Sequence, residues 1–76
     1  MAWQPNGLVT LTSDFGDRDG YVGAMKGVLL GVDISLRPVD IAHRLPPQDV
    51  QAAALCLRSA CRYFPSGTVH LAVVDP

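Results

Sequence analysis

The stretch "LTSDFGDRDGYVGAMKG", residues 11–27, decides how this chain is read. It follows "GLVTL", residues 7–11, a short apolar run with the look of a buried strand. It then packs Asp14, Asp17 and Asp19 into six residues before turning apolar again. From Tyr21 to Val32 the side chains Val22, Met25, Val28, Leu29 and Val32 recur at helical spacing, which predicts a helix with that stripe facing the core. A strand, an acidic loop and a helix are thus laid end to end.

The same alternation continues outward. Val39–Ala42 reads as a second, short strand. A second helix is expected to begin near Pro47, since proline suits the first helical position. Its core face would carry Val50, Ala53, Ala54, Leu57, Ala60, Cys61 and Phe64. Asp49 falls in its first turn and Arg58 and Arg62 in its last, which suits the helix dipole at both ends. "PSG", residues 65–67, stops it. Thr68–Val74, "TVHLAVV", reads as a third strand, apolar on both faces, as in a sheet covered on both sides. The expected fold is α/β, in the order β-α-β-α-β with a parallel sheet.

Composition narrows the classes of function. The chain has 76 residues, 49% of them hydrophobic and 17% charged, with a formal net charge of -1. That is the composition of a small globular unit and not of a disordered tail. Its basic residues, Arg18, Lys26, Arg37, Arg44, Arg58 and Arg62, are scattered and form no stripe for nucleic acid. "MAWQPNG" lacks the basic start and long apolar stretch of a signal peptide, so none is expected, and no apolar run approaches the roughly 20 residues needed to cross a bilayer. Neither nucleic acid nor membrane is therefore expected as a partner, and a cytoplasmic location is. Cys56 and Cys61 make neither a CxxC nor a zinc spacing and read as reduced thiols in a packed helix, so no metal is expected.

In an open parallel sheet, ligands bind beyond the carboxyl ends of the strands. Asp14 follows the first strand, His43 the second and Asp75 the third, so all three are expected on one edge. Gly16, Gly20 and Gly23 do not have the dinucleotide spacing, and Lys26-Gly27 breaks the P-loop pattern. An acidic loop repels phosphate. Carboxylates suit hydroxyls or a positive charge, so a ribose-bearing, phosphate-free ligand, with or without a positive charge, fits best. Each residue also has a structural reading. Asp14 can cap the following turn, Asp19 can be an N-cap, and Asp17 and Arg18 can be solvated loop charges. His43 and His70 can be satisfied structural histidines, Tyr21 can be core, Asp49 can serve its own helix, and Asp75 before proline can be a turn residue.

The segments "LTSDFGDRDGYVGAMKGV", "VDIAHRLPPQDVQAAALCL" and "YFPSGTVHLAVVDP" together resemble the S-adenosyl-L-methionine (SAM) hydroxide adenosyltransferase family, also called the SAM-dependent chlorinase/fluorinase family. The likeness runs from about Leu8 to Pro76 in the family's order and spacing. It implies attack of water or hydroxide on C5′ of SAM to give adenosine and methionine, with chloride or fluoride as nucleophile in specialised members. It implies that Asp14 holds the ribose hydroxyls, that Asp19, Gly20 and Tyr21 line the substrate, and that Asp75 is the acidic member of an Asp-Arg-His set. Asp75 points to the hydroxide branch. SAM is then a substrate and no cofactor is implied.

The resemblance further implies that residues 1–76 are one partial domain, the N-terminal part of a larger Rossmann-like, SAM-binding domain, in a protein that assembles as a homotrimer. The Arg and His of the set and a second domain would lie beyond Pro76, so the 76 residues alone are expected to be inactive and marginally folded. Pro38 departs from the family pattern and is expected to shorten the second strand. Two other readings stay open: a nucleoside- or SAM-binding module without turnover, and a fragment without function.

Overall fold

The computed structural model describes residues 3–74, in the order β1 (Leu8–Ser13), α1 (Tyr21–Val32), β2 (Arg37–Ala42), α2 (Val50–Cys61) and β3 (Val69–Val73). The strands form one sheet in the order β2-β1-β3, with both pairings parallel. The β-α-β-α-β reading is therefore what the chain adopts. β1 is the central strand, and its residues Val9–Ser13 are all buried. The chain leaves β1 toward β2 on one side and returns to place β3 on the other. That reversal makes a topological switch point between β1 and β3, the place in such sheets where ligands bind beyond the carboxyl ends of the strands.

Pro38 does not shorten β2. It sits inside the strand, paired in register with Val9. The Arg37 N–H donates to the Gly7 carbonyl at 2.9 Å, so in the extended backbone the next N–H position, residue 38, faces away from β1. Pro38, out of phase, loses only an N–H that would point away from the pairing, which an outer strand tolerates.

α2 begins at Val50 and not near Pro47. Asp49 is its N-cap, with the carboxylate accepting from the Ala52 N–H at 2.9 Å. An Asp that satisfies an orphan helix-start donor outcompetes a proline that only presets the backbone. The helix ends at Cys61, so Phe64 belongs to the following turn and not to the helix face. There its ring meets His70 edge-on at 5.8 Å between centroids. The cap and the turn leave α2 to seat Ala53 against the sheet, the one buried residue of the helix.

The stripe expected on α1 is only partly correct. Val22, Met25 and Leu29 are half-buried, but Val28 is 69% and Val32 79% exposed. The half-buried set also includes Lys26 and Leu30, so the face turned inward is rotated from the expected one. α1 is apolar almost all round, which leaves periodicity alone unable to choose its inner face. Val9, Leu11 and Ala53 are the buried hydrophobic core among the described residues, and Val50, Leu55 and Val69 stay exposed.

Two ties close the amino end of the sheet. The Asn6 side-chain amide donates to the Ser66 carbonyl and the Thr68 hydroxyl, both at 3.2 Å. Gly67 stands at φ 96°, where a Cβ would collide with the Gln4 carbonyl oxygen, so this turn requires glycine.

Candidate functional site at the carboxyl edge of the sheet

Asp14 leaves the buried end of β1 half-buried, at the edge where the strands terminate. One carboxylate oxygen, Oδ2, accepts from the Gln48 backbone N–H at 2.7 Å. Asp14 thus ties the β1–α1 loop to the β2–α2 loop, and it does not cap α1. Gln48 stands at φ 63°, the left-handed region that costs a side-chain-bearing residue free energy. Among the described residues no other donor reaches the Asp14 carboxylate, so its remaining lone pairs, including those of Oδ1, can take hydroxyl donors.

The loop after Asp14 is held from β2. The Gly16 N–H donates to the His43 carbonyl at 2.6 Å, and Gly16 turns at φ 75°. Ser13 is fully buried, and its hydroxyl lies 2.6 Å from His43 Nδ1 while accepting from the Phe15 N–H at 3.3 Å. On its other side His43 Nε2 lies 2.8 Å from Asp40 Oδ1, and Asp40 Oδ2 accepts from Lys26 Nζ at 2.7 Å. The sequence Lys26–Asp40–His43–Ser13 therefore joins α1, β2 and β1 in one chain of short contacts. A ring nitrogen facing a carboxylate must carry a proton, so the neutral tautomer has Nε2–H donating to Asp40 and Nδ1 accepting from Ser13. The lysine beside Asp40 holds its carboxyl below the usual carboxylate range, against a smaller opposing effect of burial and with further help from His43. The Ser-His-Asp order is that of a hydrolase triad, but the Ser13 hydroxyl is buried and committed at both ends. It is not placed as a nucleophile.

The other carboxylates of the loop are divided between solvent and surface pairing. Asp17 accepts from Arg44 through Nη2 at 2.7 Å and Nε at 3.1 Å, in an exposed pair that depresses the Asp17 pKa mainly by that hydrogen bond. Solvent screening makes such a pair weak. Asp19 is exposed and is not the N-cap of α1, which is Gly20, a residue with no side chain to offer. The Gly20 carbonyl accepts from the Ala24 N–H at 2.8 Å, and the Asp19 side chain stands exposed at the start of α1. Tyr21 opens the helix 65% exposed, so it is not core, with its ring 6.0 Å from that of Phe15. His70 has the structural role open to it: it lies 2.6 Å from the Thr10 hydroxyl, with Phe64 against its ring.

The structure thus brings Asp14 and His43 to one edge and sets Asp19, Gly20 and Tyr21 at the helix start that follows. Asp75 lies outside the described residues. Four participants were not singled out from sequence: Ser13, Lys26, Asp40 and Gln48. Asp40 carried a signal, as the one charged residue inside the apolar run of the second strand. Gln48 carried none, because nothing in "PPQD" marks a left-handed backbone. Beside β2 an open hollow of about 430 Å³ is lined by Asp17, Asp40, Ala42, His43, Arg44 and Leu45. A more apolar groove of about 280 Å³ lies between α2 and β3, against Val50, Ala53, Leu57, Ala72 and Val74. Among the described residues no cluster of three or more His, Cys or Asp side chains could hold a metal.

Known proteins with similar sequences are longer than this chain. It is 50% identical over 68 residues to a protein of Thermus thermophilus named (R)-S-adenosyl-L-methionine hydrolase, covering 90% of this chain and 27% of that one. It is 42% identical over 73 residues to a protein of the same name from Methanocaldococcus jannaschii, covering 91% of this chain and 27% of that one. Proteins named fluorinase also match, at lower identity. The chain spans about a quarter of the length of these curated relatives. A crystal structure of a conserved hypothetical protein from Thermus thermophilus superposes with a TM-score of 0.78 at 47% identity, over 95% of this chain and 26% of that one. Residues 9–76 match the model of the SAM hydroxide adenosyltransferase N-terminal domain, and the chain belongs to that family.

Proposed function

We propose that the protein hydrolyses SAM: water attacks C5′ of the ribose, the C5′–S bond breaks with its electron pair passing to sulfur, and adenosine, methionine and a proton are released. The observation that carries this reading is Asp14, a carboxylate held at the end of the central strand by the Gln48 N–H in a chain of this family. Its free lone pairs can accept from the two ribose hydroxyls and so fix the sugar whose C5′ reacts. Asp19, Gly20 and Tyr21 complete the substrate-facing start of α1, with the Phe15–Tyr21 pair offering an aromatic wall. Asp75 is assigned to orienting the water.

The chemistry asks little of acids and bases. Methionine departs from a sulfonium as a neutral thioether, so the leaving group needs no proton and the reaction needs no cofactor. The demand is for a nucleophile held in line behind C5′ in a site with little competing water. Such a site needs walls beyond these residues. The described chain accordingly contributes the N-terminal part of a SAM-binding α/β domain, in an intact protein proposed to be a cytoplasmic homotrimer. Relatives named fluorinase supply a second reading, with halide as nucleophile; Asp75 favours water.

Incubating the intact protein with SAM and separating the products by chromatography tests the proposal. Equimolar adenosine and methionine are expected. A 5′-halogenated nucleoside formed with chloride or fluoride would favour the second reading, and intact SAM would refute both.

A further inference from the structure

His43 is an enclosed titratable side chain at the carboxyl edge, 9% exposed, yet it is not among the residues proposed to touch substrate. What it does touch is the loop that carries Asp14. Its ring meets the Ser13 hydroxyl, which in turn holds the Phe15 N–H, and its carbonyl takes the Gly16 N–H. The residues on both sides of Asp14 are therefore anchored to His43, while the Asp14 carboxylate is anchored to Gln48 on the same β2–α2 segment. We infer that His43 is a positioning residue: through Ser13 and Gly16 it fixes the backbone of residues 13–16, and with it the direction of the Asp14 carboxylate. The inference rests on the ribose-holding role of Asp14 proposed above.

The hydrogen-bond polarity gives the ring one working orientation. In the neutral ring, Asp40 facing Nε2 requires the proton there, which leaves Nδ1 free to accept from Ser13. The Ser13 oxygen is then free to accept from Phe15. Flipping the ring would set a carbon against each partner and would release Ser13, which has no solvent to turn to. Lys26 holds Asp40 from α1, so the same chain links the loop to the helix it leads into. Asp40 and Lys26 are 42% and 34% exposed, so they orient the ring without being packed by it.

The test uses His43→Gln, His43→Asn and Asp40→Ala in the intact protein. The asparagine amide occupies the place of Nδ1 and can still accept from Ser13; glutamine reaches toward the place of Nε2 and cannot. His43→Gln is expected to weaken adenosine about tenfold, the loss that goes with one buried hydroxyl left unpaired. His43→Asn is expected to restore affinity to within about threefold. Asp40→Ala trims a half-exposed side chain, so it reads out even if His43→Gln does not fold, and a severalfold loss is expected.

Hydrogen exchange at the Phe15 and Gly16 amides, measured without ligand, reads the loop directly and should speed up in His43→Gln and Asp40→Ala. A wild-type protein that binds no adenosine would refute the functional reading. Unchanged exchange at Phe15 and Gly16 in both Asp40→Ala and His43→Gln would refute the positioning role. So would equal adenosine affinity in the glutamine and asparagine variants.

Discussion

The Asp14 carboxylate accepts a hydrogen bond from the Gln48 backbone N–H at 2.7 Å, across a sequence separation of 34 residues, and Gln48 adopts φ 63° to supply it. A side-chain-bearing residue in that region costs on the order of 1 kcal/mol, and here the cost coincides with the fixing of the Asp14 carboxylate.

Gln48→Gly should relieve the strain and keep the N–H. It is expected to raise stability by about 0.5–1 kcal/mol in urea denaturation and to keep adenosine affinity. Gln48→Pro removes the N–H and forbids the positive φ. It should lower both stability and adenosine affinity, and calorimetry beside the denaturation curves would separate the two effects. A glycine variant less stable than wild type would mean the left-handed turn is not strained.

Asp14→Ala in the intact protein should weaken SAM and adenosine alike. The two charge-assisted hydrogen bonds proposed to ribose would be lost, worth at most about 1.5–3 kcal/mol each. Isothermal titration with adenosine gives the answer without turnover. An unaltered affinity would leave Asp14 with only its tie to Gln48.

Much of this arrangement was legible in the sequence, and the reasons for the rest are specific. The strand-helix alternation is written in local apolar runs and in stops such as Pro65–Gly67, so element order, parallel pairing and the placing of Asp14 and His43 followed. The inner face of α1 was not legible, because Val28 and Val32 are as apolar as Val22 and Leu29. The start of α2 turned on a contest between Pro47 and Asp49, which the capping hydrogen bond decides. The pairs Ser13–His43 and Asp14–Gln48 depend on how β1 and β2 are set side by side. That includes a register shift between Leu11 and Thr12 that no local pattern announces.

Asp40 offers a test through pH. Its carboxyl is held below the ordinary value of 3.8, first by Lys26 and then by His43, while burial opposes them. A group whose pKa is depressed on folding contributes stability that is present above the unfolded value and is lost as pH falls through the folded one. The wild-type protein should therefore lose this contribution below about pH 3.8, and Asp40→Asn should flatten part of the acid limb. Because Asp40 is 42% exposed, the effect is small and should shrink further in high salt. Identical acid limbs for the two proteins would remove Asp40 from the ionic link between α1 and His43.

Asp75→Asn should slow hydrolysis by about tenfold or more while changing SAM affinity by less than about threefold. A group that orients the nucleophile acts in the transition state, so its loss falls on kcat and not on binding. Steady-state kinetics paired with a binding titration distinguishes the cases. Unchanged turnover would take Asp75 out of the catalytic set.

The central claim, attack of water at C5′ of SAM, is tested most directly by hydrolysis in ¹⁸O-labelled water. The intact protein is incubated with SAM and the recovered adenosine is analysed by mass spectrometry. One ¹⁸O atom in the 5′-hydroxyl of adenosine is predicted, with none in methionine. Adenosine formed without label, or no adenosine at all, would contradict it.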